Sequence, residues 1–302
     1  MSRAVGRARW VVGMVGILCC DAQAELAGPG IHAAFQFPDS LVPQIDGRLE
    51  DWELLDEGYI IPTEVLHDLV NDQAGRASAD FACRLMVGWN ATLNQLYVAA
   101  EVQDDVHQVD RPAGTAAVRI FQDDCMEVFL DADHSGGQYA DFSDLGPQEQ
   151  LRRNGSEASH FVLAGPPPDG DFFVNFSAAA WYALPDGPYT RAAYALEPGD
   201  AGGTVMRYEL MLVPFDRVDM DAVFLSDEHR MREGEILGFN VELDDYDASS
   251  TLLDAKWSLS GQHNAFRFSE RFADLLLMPQ EDMFTTGVEA LSWGRVKASW
   301  RP

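Results

Sequence analysis

Two runs of strict alternation constrain this chain more than any other feature. Phe81, Cys83, Leu85, Val87 and Trp89 alternate with Ala82, Arg84, Met86 and Gly88. Leu96, Val98, Ala100 and Val102 then alternate with Tyr97, Ala99, Glu101 and Gln103. A period of two sends successive side chains to opposite faces, the signature of a strand with one face in a core. The polar bridge from Asn90 to Gln95 reads as a hairpin loop. Further strands are expected at 126–131, 159–164, 172–179, 204–213, 236–243, 255–259 and 272–277. Turns such as Gly165-Pro166-Pro167-Pro168-Asp169-Gly170 and Leu184-Pro185-Asp186-Gly187-Pro188 separate them. No stretch keeps apolar residues at i, i+3, i+4 and i+7 for three turns, and 141–158 reads as a polar loop or a short helix. The expected fold class is all-β: an antiparallel, jelly-roll-like β-sandwich with long loops and a C-terminal extension.

The ends lie outside that sandwich. Arg3, Arg7 and Arg9 precede a short apolar run from Trp10 to Cys20, and Ala22-Gln23-Ala24 supplies small residues at a signal-peptidase site. Residues 1–24 therefore read as a signal peptide cleaved after Ala24, its apolar run too short for a permanent span. Lipidation at Cys20 is disfavoured by the bulky Cys19 before it. The chain is expected to be secreted or periplasmic, with a domain at 25–279 and an extension at 280–302. In that extension Leu291, Trp293, Val296 and Trp300 would cover a sheet edge or form an ordered arm. Loss of the leader, with three arginines against Asp21, takes the net charge from −28 to −30. Such a field repels phosphate backbones and anionic lipid, so no nucleic-acid partner and no membrane insertion are expected. It is compatible with neutral sugars and divalent cations. Cys83 and Cys125 remain, either as one disulfide or as two buried thiols. No Cys-x-x-Cys or His-x-x-x-His spacing supports zinc.

Three acid-flanked, strand-like segments follow in fixed order: Ile45-Asp46-Gly47-Arg48-Leu49-Glu50-Asp51-Trp52, Gln122-Asp123-Asp124-Cys125-Met126-Glu127-Val128-Phe129-Leu130-Asp131, and Gly238-Phe239-Asn240-Val241-Glu242-Leu243-Asp244-Asp245-Tyr246-Asp247. Together they resemble a family 9 carbohydrate-binding module over about residues 40–278, a β-sandwich that holds a sugar end between aromatic rings. The resemblance implies non-catalytic binding of a sugar or polysaccharide chain end. Phe121, just before Gln122-Asp123-Asp124, and Phe266, in Asn264-Ala265-Phe266-Arg267, fall where the family has its stacking tryptophans. Phenylalanine keeps a smaller stacking face; core packing is the other expectation for both rings. Glu127 coincides with the family glutamate that bonds ring hydroxyls, and His263 or Asn264 lies near its asparagine. Alternation independently sets Glu127 with Cys125 and Phe129, away from Met126 and Val128. The family arginine would fall near Val162, where no cation stands.

The resemblance also implies calcium, which needs several hard oxygen ligands. Two acidic clusters offer them: Asp131, Asp133 and Asp141, and Asp244, Asp245 and Asp247. Asp46 and Asp51 form a third acidic turn, expected to fix the first strand. Gly-x-Ser-x-Gly, His-Glu-x-x-His and a phosphate-cradling glycine loop are absent, so an enzyme is not expected. Glycoside hydrolase activity would be encoded separately. Two other classes remain open. One is a structural or interaction sandwich whose sugar site has decayed. The other is a haem-binding electron-transfer module, with Met86, Met126, Met206 or Met211 opposite His107 or His160.

Overall fold

The alternating segments pair into two packed sheets in a computed structural model that describes residues 30–281, except 115–116, 200–201 and 249–251. The expected signal peptide and residues 282–302, with Leu291, Trp293, Val296 and Trp300, lie outside the described residues. In chain order the strands are β1 (Ile31–Gln36), β2 (Ile61–Pro62), β3 (His67–Asp68), β4 (Gln73–Ala74), β5 (Phe81–Asn90) and β6 (Gln95–Asp104). There follow β7 (Cys125–Asp131), β8 (Ser159–Leu163), β9 (Phe173–Asn175), β10 (Thr190–Pro198) and β11 (Thr204–Leu212). The last are β12 (Phe215–Arg217), β13 (Asp227–Glu228), β14 (Ile236–Asp245), β15 (Ala255–Ser258) and β16 (Ala273–Leu277). The polar 141–158 stretch carries one helical turn pair, α1 (Pro147–Arg153), opened by a proline whose missing N–H costs nothing there.

One sheet runs β9-β8-β7-β14, antiparallel throughout; beyond β14 lie β16 beside its first half and β15 beside its second. β15 leads on to β3 and β4. The other sheet runs β10-β11-β6-β5, with β2 and the end of β1 against β5. β1 departs from the expected antiparallel order. Its first four residues pair parallel with β16 and its last two parallel with β5, so one strand stitches both sheets together. The strand expected over 172–179 is only three residues long, because the Ser177 N–H donates to Asn175 Oδ1 in a turn instead of continuing the ladder.

Between the sheets lie Leu85, Val87, Trp89, Val98 and Leu210 from one side, and Met126, Val128, Phe161, Phe239, Val241 and Trp257 from the other. Each such side chain, fully buried, contributes about 1.5–3 kcal/mol. A second core covers the outer face of β5 and β6, where Phe35, Phe37, Trp52, Tyr59 and Tyr97 meet edge to face at 5.2–5.7 Å. The first acid-flanked segment is therefore a covering loop and not a strand. Its Asp46 and Gly47 amides and the Trp52 indole donate to the buried Glu209 at 3.0, 2.7 and 3.0 Å. Gly47 sits at φ +82°, where a Cβ would come within 2.6 Å of the Tyr194 carbonyl oxygen.

The possible Cys83–Cys125 disulfide is not formed; both thiols are free and buried. Cys83 points into the layer between the sheets and Cys125 into a small cluster on the outer face of β7, so the two belong to different layers.

Candidate functional site

The outer face of the β9-β8-β7-β14-β15 sheet is polar where its inner face is core. Glu127 on β7 and Glu242 on β14 stand directly opposite each other in register, an arrangement that costs energy for two like charges. Lys256 on β15, opposite Asp244, resolves it. Its Nζ lies 2.5 Å from Glu127 Oε1, 3.1 Å from Glu242 Oε2 and 2.6 Å from Asp244 Oδ1. His160 on β8 bonds Glu127 Oε2 at 2.5 Å. Burial opposes ionisation of Glu127, yet the Lys256 ammonium and His160 outweigh it and hold the carboxyl well below the usual range. Burial pushes Glu242 and Asp244 up, against the pull of the same ammonium. Lys256 itself is driven well above the ordinary lysine range: burial favours the neutral amine, but three carboxylates overcome it.

This network floors an open cleft of about 620 Å³ with largely apolar walls. One wall is an aromatic series. Phe129 stacks on His160 at 4.2 Å, His160 on Phe176 at 4.6 Å, and Phe176 lies 6.3 Å from Phe121. Phe121 lies in the last turn of a 3-10 helix (Ala117–Gln122) whose Ile120 is fully buried, so anchoring one residue turns the next outward. The 263–266 loop works the same way. Ala265 is buried, its carbonyl accepts from Tyr139 Oη at 2.9 Å, and Asn264 takes φ +66°. Phe266 is thereby left 50 % exposed, beside exposed His263 and Asn264. Leu69, Val70, Asp141, Asn154 and Gly155 complete the border.

Phe121, Glu127, His263, Asn264 and Phe266 thus all line one cleft. The expectation that the two phenylalanines are core residues is overturned by their exposure, 38 % for Phe121. Val162 is fully buried among Ile120, Cys125 and Val174, and no cation stands there. Lys256 brings one to the same face from another strand. Sequence reasoning passed over Lys256, Glu242 and Phe176 and met His160 only as a haem ligand. The available signal was their outward phase: Lys256 beside inward Trp257, and Glu242 between inward Val241 and Leu243.

The acidic residues are distributed differently from expectation. Asp131 caps its own turn, accepting from the Ser135 and Gly136 amides at 3.2 and 2.8 Å. Asp141 faces Arg267 at 3.3 Å and does not join Asp131 and Asp133 in a ligand set. Asp244 and Asp245 are adjacent on a strand and so point to opposite faces; only Asp245 continues to Asp247. These two meet residues from other strand ends. Asp104, Asp245 and Asp247 form one group, Asp80, Asp105 and Asp247 another, and Asp104, His107 and Asp124 a third, each with ligand atoms within 4.8 Å. Burial, reinforced by neighbouring carboxylates, pushes Asp104 up to about 7 and Asp245 to about 8. The Asp245 carboxylate is buried, and the charges that act on it most are the carboxylates of Asp104, Asp124, Asp247 and Asp80. Its oxygens and the donor set suit a hard divalent cation.

The haem reading loses its ligands. His160 is stacked between two phenylalanines and bonded to Glu127, while Met126 and Met206 pack in the core. Met86 and Met211 lie in the second core. His107 and Met206 share a cavity of only about 10 Å³.

Residues 53–154 match the family model described as carbohydrate family 9 binding domain-like. A carbohydrate-binding module family 9 from Caldicellulosiruptor kristjanssonii, solved in complex with cellotriose, aligns with a TM-score of 0.55 at 17 % identity, covering 86 % of this chain and 100 % of that one. The same organism's module in complex with glucose aligns with a TM-score of 0.51 at 17 % identity, covering 85 % and 100 %. The fold is that of a family 9 carbohydrate-binding module. Family 9 modules bind and do not catalyse. The matched region takes in Phe121, Glu127 and Asp124 of this family 9 fold, and ends before Lys256 and Phe266. No curated protein matches the chain. Among the described residues no helix is long and apolar enough to cross a membrane.

Proposed function

We propose that this protein is an exported, non-catalytic carbohydrate-binding protein whose cleft takes a sugar or the end of a polysaccharide chain. The sugar ring lies against Phe121 and Phe266, and its hydroxyls bond Glu127, His263 and Asn264. One observation carries the reading. Two exposed phenylalanines from distant segments border a single cleft floored by a carboxylate that Lys256 and His160 keep ionised. Apolar walls with a few convergent polar groups are the usual make-up of a small-molecule site. A flat ring meets the C–H face of a pyranose, and an ionised carboxylate accepts from its hydroxyls more strongly than a neutral group does.

Similar structures were solved with cellotriose and with glucose, so these are the first ligands to titrate. Calorimetry on the mature chain should detect binding. Phe121→Ala and Phe266→Ala should each weaken it by about tenfold, in keeping with the energy of one aromatic contact, and together should remove it. Unchanged affinity in a folded double variant would discard the cleft as the site. Calcium, the ion the resemblance implies, is assigned to Asp104, Asp245 and Asp247, with Asp80, Asp105 and Asp124 beside them, and not to Asp131, Asp133 and Asp141.

A further inference from the structure

The cleft floor holds three carboxylates against one ammonium. Lys256 is the only lysine or arginine that lines the cleft among the described residues. An ammonium has three N–H donors, and Glu127, Glu242 and Asp244 stand within 3.1 Å of it. Its hydrogen bonds go to Glu127 and Glu242, and its single charge is further claimed by the ion pair with Asp244. What the deeper part presents instead is acceptors. Glu127 and Glu242 each keep unused lone pairs, and Asn154 Oδ1 lines the cleft buried and without a partner. At the border Asp141 adds a further carboxylate, already facing Arg267. Apart from the Asn154 amide NH2, further side-chain donors, on His263 and Asn264, sit exposed at the outer edge. The whole chain adds a field of the same sign, at −28.

A hydroxyl or an ammonium entering this cleft finds acceptors waiting. A carboxylate entering it finds like charge, acceptors with no hydrogen to share, and a lysine whose one charge already faces three carboxylates. Desolvating an anion without a paired donor is among the costliest events in recognition. We infer that the cleft is charge-selective, admitting neutral and amine-bearing sugars and excluding those that carry a carboxylate, with Glu242 as the residue that sets the exclusion. Glu242 is singled out because Glu127 has both Lys256 and His160 to balance it, whereas Glu242 shares Lys256 and otherwise meets only the neutral Asn240 and Ser258. Asp244 lies deeper and does not line the cleft.

The inference rests on the reading of the cleft as a sugar site, and one experiment separates the two. Glucose, glucosamine and glucuronate, matched in ring and differing in charge, are titrated by calorimetry into wild-type protein and Glu242→Gln, at low and at high salt. One unit charge about 10 Å away at an effective dielectric near 20 is worth about tenfold in affinity. Glucuronate should bind at least about that much more weakly than glucose, and glucosamine at least as tightly. Glu242→Gln should close the glucose–glucuronate gap by about tenfold, and salt should narrow it in wild type. Glucose binding with equal glucuronate binding overturns the selectivity and leaves the sugar site standing. A gap that a folded Glu242→Gln does not move makes the exclusion steric and overturns the assignment to Glu242; should that variant not fold, an absence of salt dependence in wild type does the same. Failure of all three sugars to bind removes the cleft as a sugar site, and the inference with it.

Discussion

At the scale of single residues, Lys256 is the side chain on which the cleft floor depends. Three acidic groups converge on one ammonium, and a buried charge left without its partner is strongly destabilising. Lys256→Met should cost about 3–5 kcal/mol in urea-induced unfolding. A loss below about 1 kcal/mol, typical of an exposed ion pair, would mean that water screens the cluster and that the floor is not dry. Glu127 and Lys256 also show where sequence reading ends. Glu127 could be placed on the outer face from its own strand, since Met126 and Val128 are plainly inward. Lys256 sits on a four-residue strand, and its role comes from the register that sets it opposite Asp244 and beside Glu242. That register is a long-range fact, absent from the local pattern. The two phenylalanines were found through resemblance alone; composition offers no way to tell an outward Phe from a buried one.

At the scale of elements, legibility followed the alternation. β5, β6, β7, β11 and β14 were readable because each has one face in the central core. β1 was not, since its parallel pairing to both sheets leaves no hairpin partner to announce it. β10, an edge strand whose Ala192–Tyr194 stretch faces partly outward, carries too few large apolar residues to be seen. The 45–52 segment was misread as a strand because its acids and apolar residues look like one. What decides its shape is Glu209 on a different element. Burial outweighs the three N–H donors and pushes the Glu209 carboxyl up from 4.5 to about 7. Its folded state therefore holds a proton that the unfolded chain releases earlier. The stability it contributes is complete below about pH 4.5 and is lost as pH rises through about 7. Hydrogen exchange in 45–52 should accelerate between about pH 5 and pH 8 beyond the intrinsic chemical rate, and Glu209→Gln should flatten that dependence. Protection that stays constant across the interval would place the proton elsewhere.

At the scale of the whole molecule, the same end of the sandwich gathers acids from both sheets: Asp80 before β5, Asp104 and Asp105 at the end of β6, Asp124 before β7, and Asp245 and Asp247 at the end of β14. Without a counter-charge these groups push the sheets apart at that edge, and Asp245 is buried among them. A cation there would join four strand ends and convert repulsion into a brace. It would also reach the cleft, because Asp124 accepts from the Tyr246 amide at 2.8 Å and Tyr246 Oη donates to the Phe121 carbonyl at 3.1 Å. Calcium at about a hundred times its dissociation constant should then raise the melting temperature by roughly 5–10 °C. Magnesium should do much less, since it demands a tight octahedral shell and sheds water reluctantly. Asp245→Asn separates this from a general salt effect. Removing one repelled carboxylate should raise the melting temperature of the calcium-free protein while shrinking the calcium-dependent increment. If calcium shifts wild type and Asp245→Asn equally, the ion binds elsewhere, and the acidic edge is held together by protons alone.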